Sequence, residues 1–402
     1  MVAYHQFVAL SQSDSSEERG QAAHLAAMAY LAHTGPADEQ AALYAALIGF
    51  LDDPSVKVRA ALAYGLLHAD AAPRPILLAL LQDSAIISRA VAQYSPALIE
   101  ADLMALTRSA EPSLLLALCL RETLPLRVTE ALVARGDRTV TLKIVARADA
   151  PLSGATLLRL SEEQGADDAQ IRGALLARKD LPAEARLRLV HAVAAALKGA
   201  RVVKGAIEPR RLDRILRNST DMAMTAIGER EAARAQTRYA AAMVGEDRVS
   251  TRVMLHAVCN GHVLFFADCV AELSGIGRDK VFTLLESGSR PALNALLARC
   301  GLAASVRNLI ARLVLHARAA DLADDVAARH FVVTALTEEL IVEHDGVIPP
   351  DLEEAFSYLC EQNVALARDA ARGVMVAFAS EPAGVRDLPA LRASDRLALP
   401  AA

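Results

Sequence analysis

Leu51-Asp-Asp-Pro-Ser-Val-Lys-Val-Arg-Ala-Ala-Leu62 has the form of a turn followed by the second helix of a helical-repeat unit. Asp53 stands where an N-cap belongs and Pro54 where a first helical residue would stand, while Val58, Leu62 and Leu66 make an apolar stripe at helical spacing. The interval recurs along the chain. Asp83 and Arg89 repeat the spacing of Asp53 and Arg59 after a shift of 30 residues, and Asp137 and Lys143 show it again. Such recurrence predicts an all-α fold, an α-solenoid of helix pairs in which neighbouring units bury one another's apolar faces.

A second register supports the first. Arg121-Glu-Thr-Leu-Pro125, Arg147-Ala-Asp-Ala-Pro151 and Arg178-Lys-Asp-Leu-Pro182 share the form Arg-x-(Thr/Asp)-x-Pro. Each is expected to end one helix and start the next, because the residue before proline is pushed out of the α region while proline is tolerated at a helix start. The two registers together give about five units between residues 37 and 198, with the motif decaying toward the end: Ala117 stands where Arg59 does, and Arg172 no longer keeps the interval. The Asp and Arg residues of the motif read as structural, the carboxylate capping a helix and the guanidinium bonding along neighbouring turns.

The resulting organisation is a helical cap over 1–36, a repeat region over 37–200, a less regular helical domain over 201–378 and a flexible tail over 379–402. In the third segment the prolines thin out and the helices lengthen. Helices are expected over 207–218, 220–244, 248–273, 278–287, 290–300, 303–319, 321–344 and 351–378, with glycines and Pro349-Pro350 marking breaks.

Composition agrees with helix-on-helix packing. Hydrophobic residues make up 53% of the 402, yet aromatics are only 4% and tryptophan is absent, which suits close packing of alanine-rich helices better than a β-rich core. The net charge of −5 supplies no general excess of cations to displace counterions from a phosphate backbone, which disfavours nucleic acid as partner. The longest apolar runs, 75–81 and 114–120, fall short of the roughly 18 residues a membrane span needs. The first ten residues lack a basic start and a long apolar stretch, unlike a secretory signal. Cys119, Cys259, Cys269, Cys300 and Cys360 include no CxxC pair and read as free thiols of a cytoplasmic protein.

The Asp53-Pro-x-x-x-Val-Arg59 block resembles a HEAT-type repeat. Further on, Asp53 and Arg59 are followed in order by Tyr94-Ser-Pro-Ala-Leu98 with Asp102-Leu103, the anchors at Arg147 and Arg178, Leu255-His-Ala-Val-Cys-Asn-Gly261, Phe265-Phe266 and Gly301-Leu302. From about Leu51 to Ala317 this order of motifs resembles the bacterial DUF2336 family of uncharacterised proteins. The resemblance implies no activity, no cofactor and no site residue.

Candidate chemistry is sparse. His256, Cys259 and His262, with Asp268 and Cys269 following, are the most metal-like cluster, but their apolar surroundings favour helix packing, and no metal or other cofactor is expected. Gly275-Ile-Gly277-Arg-Asp-Lys280 lacks the preceding strand and the spacing of a phosphate loop and reads as a helix-to-helix turn. Arg201, Lys204, Arg210, Arg211, Arg214 and Arg217 form the strongest basic cluster, in which Arg210, Arg214 and Arg217 share one helix face, though no aromatic residues alternate with them as single-strand binding would require. Without HExxH, GxSxG or a Cys/His nucleophile context, the expectation is a non-catalytic scaffold or adaptor that binds a protein partner on the surface of its repeats. Lys57, Arg59 and Arg89 near the unit starts, and Arg210, Arg214 and Arg217 further on, are the candidate partner contacts. A ligand-sensing regulator and a nucleic-acid-binding HEAT-like protein are the alternatives.

Overall fold

The computed structural model describes residues 2–380 except Ala110 and Asp321. All regular structure among the described residues is helical, and the chain forms two compact units, one ending at Glu208 and the other beginning at Pro209. No helix among the described residues is long and apolar enough to cross a membrane.

The first unit contains α1 (Val2–Ser11), α2 (Ser16–Ala32), α3 (Ala37–Leu51), α4 (Val56–Leu66), α5 (Arg74–Leu80), α6 (Ala85–Tyr94) and α7 (Glu100–Ser109). It continues with α8 (Pro112–Cys119), α9 (Leu126–Ala134), α10 (Arg138–Val145), α11 (Gly154–Glu163), α12 (Ala169–Ala177), α13 (Ala183–Gly199) and α14 (Arg201–Ala206). Helices two apart in the chain touch. The even-numbered ones meet in unbroken succession from α2 to α12, and α1 meets α3, α3 meets α5, α7 meets α9 and α11 meets α13. Short helices with a buried stripe cannot be stable alone, and here their buried residues from Phe7 to Leu189 merge into one continuous apolar cluster.

The Arg-x-(Thr/Asp)-x-Pro segments lie between helices as expected, with Pro125 and Pro182 at the N-caps of α9 and α13. Their arginines do more than mark ends. Arg121 donates to the carbonyls of Ala92 and Ser95 at the end of α6, at 2.7 and 2.9 Å. Arg147 donates to Cys119, Arg121 and Glu122 after α8, and Arg178 to Arg147 and Ala150 after α10. Arg135, at the end of α9, reaches Thr107 of α7 in the same way. The last carbonyls of a helix have no partner within it, and a guanidinium from the helix two further on supplies one while complementing the negative end of the helix dipole.

At the first motif the local reading needs correcting. α4 begins at Val56 and not at Pro54, with Ser55 in the N-cap position. Asp53 closes a turn ahead of the helix by accepting the Ser55 N–H at 2.8 Å, and its carboxylate is gripped by Arg19 of α2, with Nε 2.7 Å from Oδ2. Asp137 and Asp168 do cap their helices, accepting the N–H groups of Val140 and of Gln170 and Ile171.

The second unit contains α15 (Pro209–Ala233), α16 (Arg238–Gly245), α17 (Thr251–Cys259), α18 (Val263–Ser274), α19 (Arg278–Ser287), α20 (Arg290–Ala298), α21 (Ala304–Ala317), α22 (Val326–Glu343) and α23 (Glu353–Ser380). Two expected boundaries move. α15 continues through Thr220, whose hydroxyl turns back to the Leu216 carbonyl at 2.9 Å, and ends at Ala233. The single helix expected over 248–273 is α17 and α18, broken at Gly261, whose φ is +73° and where a Cβ would lie 2.6 Å from the backbone N and Cα of Ala323. Arginine capping recurs here: Arg299 after α20 donates to Ser274 at the end of α18, and Arg318 after α21 donates to Leu284, Leu285 and Gly288 around the end of α19. Residues 381–402 of the expected tail lie outside the described residues.

Candidate functional site

α2 and α4 approach closely because small residues line their contact. Gly20 and Gly65 are buried, and a Cβ on Gly65 would come within 2.7 Å of the Ala27 Cβ and 3.2 Å of the His24 Nδ1. The close approach seats the His24 imidazole beside Tyr64 on the outer side of α4, with ring centroids 5.6 Å apart. Four residues after Tyr64, His68 repeats the contact with the next helix of the row, its ring 5.6 Å from that of Tyr94 on α6. Tyr64 is 68% exposed and Tyr94 49%. One ring pair, His24 with Tyr64, thus joins α2 to α4, and a second, His68 with Tyr94, joins the turn after α4 to α6, while Leu25 and Met28 on α2 and Ile86 on α6 are exposed apolar residues of the same helices.

The expected partner contacts take different places. Lys57 and Arg89 are exposed on the same two helices, α4 and α6. Arg89 donates through Nε to Ala85 of its own helix at 2.8 Å. Arg59 is committed within the fold: Nε and Nη2 hold the two oxygens of Asp83, at 2.5 and 3.0 Å, and Nη1 donates to the Asp53 carbonyl at 2.6 Å. The Arg59 guanidinium holds the Asp83 carboxyl below the ordinary carboxylate range, and Arg19 does the same for Asp53. Arg210, Arg214 and Arg217 are exposed on one face of α15 in the second unit.

The second unit buries its polar chemistry. Arg252 of α17 pairs with Asp221 of α15 and Glu361 of α23, contacts Asn218, and stacks over the Tyr358 ring at 4.9 Å. Tyr358 is fully buried, and its hydroxyl lies 2.9 Å from His256 Nδ1. Burial pushes the His256 imidazole down to about 4 and the Cys259 thiol up to about 12, so at neutral pH both are uncharged. His262 pairs with Thr225 at 2.9 Å, and Asp268 forms an ion pair with Arg278 at 2.6 Å. His256, His262 and Asp268 are therefore tied to protein partners on separate helices, and no group of three or more potential ligands gathers among the described residues. A thiol titrating near 12 is a poor nucleophile, so Cys259 has the character of a packing residue. Near this network, Val258, Val263, Phe266, Phe282, Leu285 and Val314, with Glu286 and Arg318 at its margin, line a largely apolar cavity of about 320 Å³.

The ring pairs were not visible in the spacing of the chain, since they need α2, α4 and α6 to be neighbours. Their one sequence signal was the pair Tyr64 and His68, one helical turn apart on a face otherwise free of large apolar residues.

The chain matches no curated protein and no solved structure. Residues 87–342 match the family described as "Uncharacterised protein conserved in bacteria (DUF2336)". The match begins on α6 and ends on α22, so it takes in Tyr94, Asp221, Arg252 and His256, but neither Tyr358 and Glu361, which complete the buried network, nor the Asp53 to Arg59 motif from which the repeat reading starts. It covers well over half of the chain, which belongs to the bacterial DUF2336 family.

Proposed function

We propose that the protein is a non-catalytic, cytoplasmic scaffold or adaptor whose first unit is a HEAT-like α-solenoid and binds a protein partner across α2, α4 and α6. The observation that carries the reading is the two ring pairs, His24 with Tyr64 and His68 with Tyr94, that bridge these helices while leaving Tyr64 68% and Tyr94 49% exposed. With Leu25, Met28 and Ile86 also exposed on α2 and α6, these helices present several large apolar and aromatic side chains, the residue types enriched at contact sites. The solenoid reading is supported by the succession of even-helix contacts and by the arginines that cap the helix two before their own. Such an array leaves the outward side chains of one helix row free to vary without disturbing the buried seam.

The test is site-specific photo-crosslinking in cells with p-benzoylphenylalanine at position 64 or 94, compared with position 127 on α9. A discrete adduct from 64 and 94 but not from 127 is expected. Equal labelling from all three positions, or none from 64 and 94, refutes the reading.

A second reading, a ligand-sensing regulator, is favoured by the apolar cavity between α17, α18, α19 and α21. A ligand selective for the folded state must raise stability, so aliphatic and aromatic carboxylates would raise the melting temperature of the wild type and leave that of Val314→Trp unchanged.

A further inference from the structure

We infer that the cavity between α17, α18, α19 and α21 takes a small apolar zwitterion, an α-amino acid with a branched aliphatic or aromatic side chain. This inference rests on the ligand-binding reading of the cavity given above and names the chemistry of the ligand. Its warrant is the division of apolar and charged groups between the interior of the cavity and its mouth. Val258, Phe266, Leu285 and Val314 are buried and supply the walls, with half-buried Phe282 beside them. At about 320 Å³ the space is roughly twice that of a cavity of about 150 Å³ that holds benzene, so the side chain of leucine or phenylalanine fits, with room for the atoms around its Cα.

The mouth carries one charge of each sign, from exposed Glu286 on α19 and exposed Arg318 after α21. They stand close together without neutralising each other. Arg318 donates from Nε to the carbonyl of Leu285, the residue next to Glu286, at 2.6 Å, and from Nη2 and Nη1 to the carbonyls of Leu284 and Gly288 at 2.9 and 2.8 Å. These bonds fix the guanidinium over the end of α19. A guanidinium has more N–H groups than three carbonyls use, so both Nη atoms keep a donor for a carboxylate. Glu286 forms no hydrogen bond or ion pair among the described residues, and its carboxylate is open to an ammonium group. Arg278, which stacks over the Phe282 ring at 5.3 Å, is already paired with Asp268. A fatty acid would set its carboxylate beside that of Glu286, and an alkylamine would set its ammonium beside Arg318. A ligand that carries both groups on the carbon bearing its apolar part gives each rim charge a counterpart.

The experiment uses the full chain with leucine and phenylalanine as probes, read by thermal shift and by calorimetric titration. Isocaproate and hydrocinnamate lack the ammonium, isoamylamine and phenethylamine lack the carboxylate, and serine lacks the apolar part. Expected are a concentration-dependent rise in melting temperature with leucine or phenylalanine, an affinity about tenfold or more above that of the matched acid and amine, and no shift with serine. Glu286→Gln changes an exposed side chain and is checked for an unchanged circular dichroism melt without ligand. It should lower affinity for the amino acid by about tenfold and leave that for the matched acid unchanged or improved. An amine that binds as tightly as the amino acid, serine that binds as tightly as leucine, or wild-type affinity in Glu286→Gln overturns the inference. Binding of the acids without a preference for the amino acids would sink the zwitterion while leaving the ligand-binding reading standing. Absence of a shift from every apolar probe would remove both.

Discussion

Arg178 donates from Nη1 to the backbone carbonyl of Arg147 at 2.7 Å, and Arg147 donates in turn to the carbonyl of Arg121 at 2.5 Å. Three arginines that recur in the sequence are thus linked into one chain of charge-assisted bonds along the ends of α8, α10 and α12. Arg178 is 3% exposed and also serves Ala150. Arg178→Ala leaves these carbonyls unpaired in the interior and is expected to destabilise the first unit by about 3 kcal/mol, read from the denaturant midpoint. Arg178→Lys should recover less than half of that, because an ammonium cannot reach several carbonyls with a planar fork.

The pair Arg59 and Asp83 lies between successive even helices and is largely shielded from solvent. A double-mutant cycle with Arg59→Ala and Asp83→Ala should give a coupling of about 1–2 kcal/mol, above the value of an exposed pair. Purely additive single mutants would show that the bidentate contact does not form in solution.

Acid should act on the two units in different ranges. In the first, Arg19, Arg59 and Arg74 hold Asp53, Asp83 and Asp102 below the ordinary carboxylate range. Their contribution is complete above the unfolded value of about 4 and is lost as pH falls through the lower folded values. In the second, burial lowers His256 to about 4, so the unfolded chain takes up this proton first and stability falls as pH drops from about 6.5 to about 4. At about 1.4 kcal/mol per pH unit the histidine alone would account for about 3 kcal/mol. Burial raises Asp221, Glu229 and Asp268 and opposes this in part, since a carboxyl with a raised folded value favours the folded state on acidification. Hydrogen-exchange protection, corrected for intrinsic rates, should decline in α17 before it declines in α4, and His256→Gln should flatten the slope between pH 6.5 and 4.

Tyr358→Phe removes the hydroxyl that meets His256 Nδ1 inside a sealed network. A loss of about 1–2 kcal/mol is expected from the thermal or denaturant transition, with the aromatic contact to Arg252 preserved. A neutral outcome would mean that water reaches the imidazole.

Gly261→Ala places a methyl group against the backbone of Ala323 in a left-handed conformation. Both effects act in the same direction, and a cost of about 2–4 kcal/mol is expected, whereas Gly275→Ala, with open space around it, should cost only its backbone strain. Chemical denaturation of the two variants separates the contributions.

Helices and most of their ends were legible because they follow from local chemistry. The stripe Val58, Leu62, Leu66 is buried on α4, and the segments from Arg121 to Pro125 and from Arg178 to Pro182 do separate helices. The misreadings have a common cause. Asp53 had the makings of a cap but faces Arg19, 34 residues earlier, and Gly261 breaks a continuous apolar pattern because Ala323 comes close.

Periodicity, proline and the scarcity of aromatic residues by themselves determined that this chain is helical and that its helices are shorter in the proline-punctuated first half than after it, because each acts within a few residues. Tertiary structure alone decided which arginine serves which helix end, which cations remain exposed, and that His24 meets Tyr64 and His68 meets Tyr94. Those relations join residues tens of positions apart, and they arise when buried faces are matched and unpaired carbonyls find donors, requirements that no local pattern encodes.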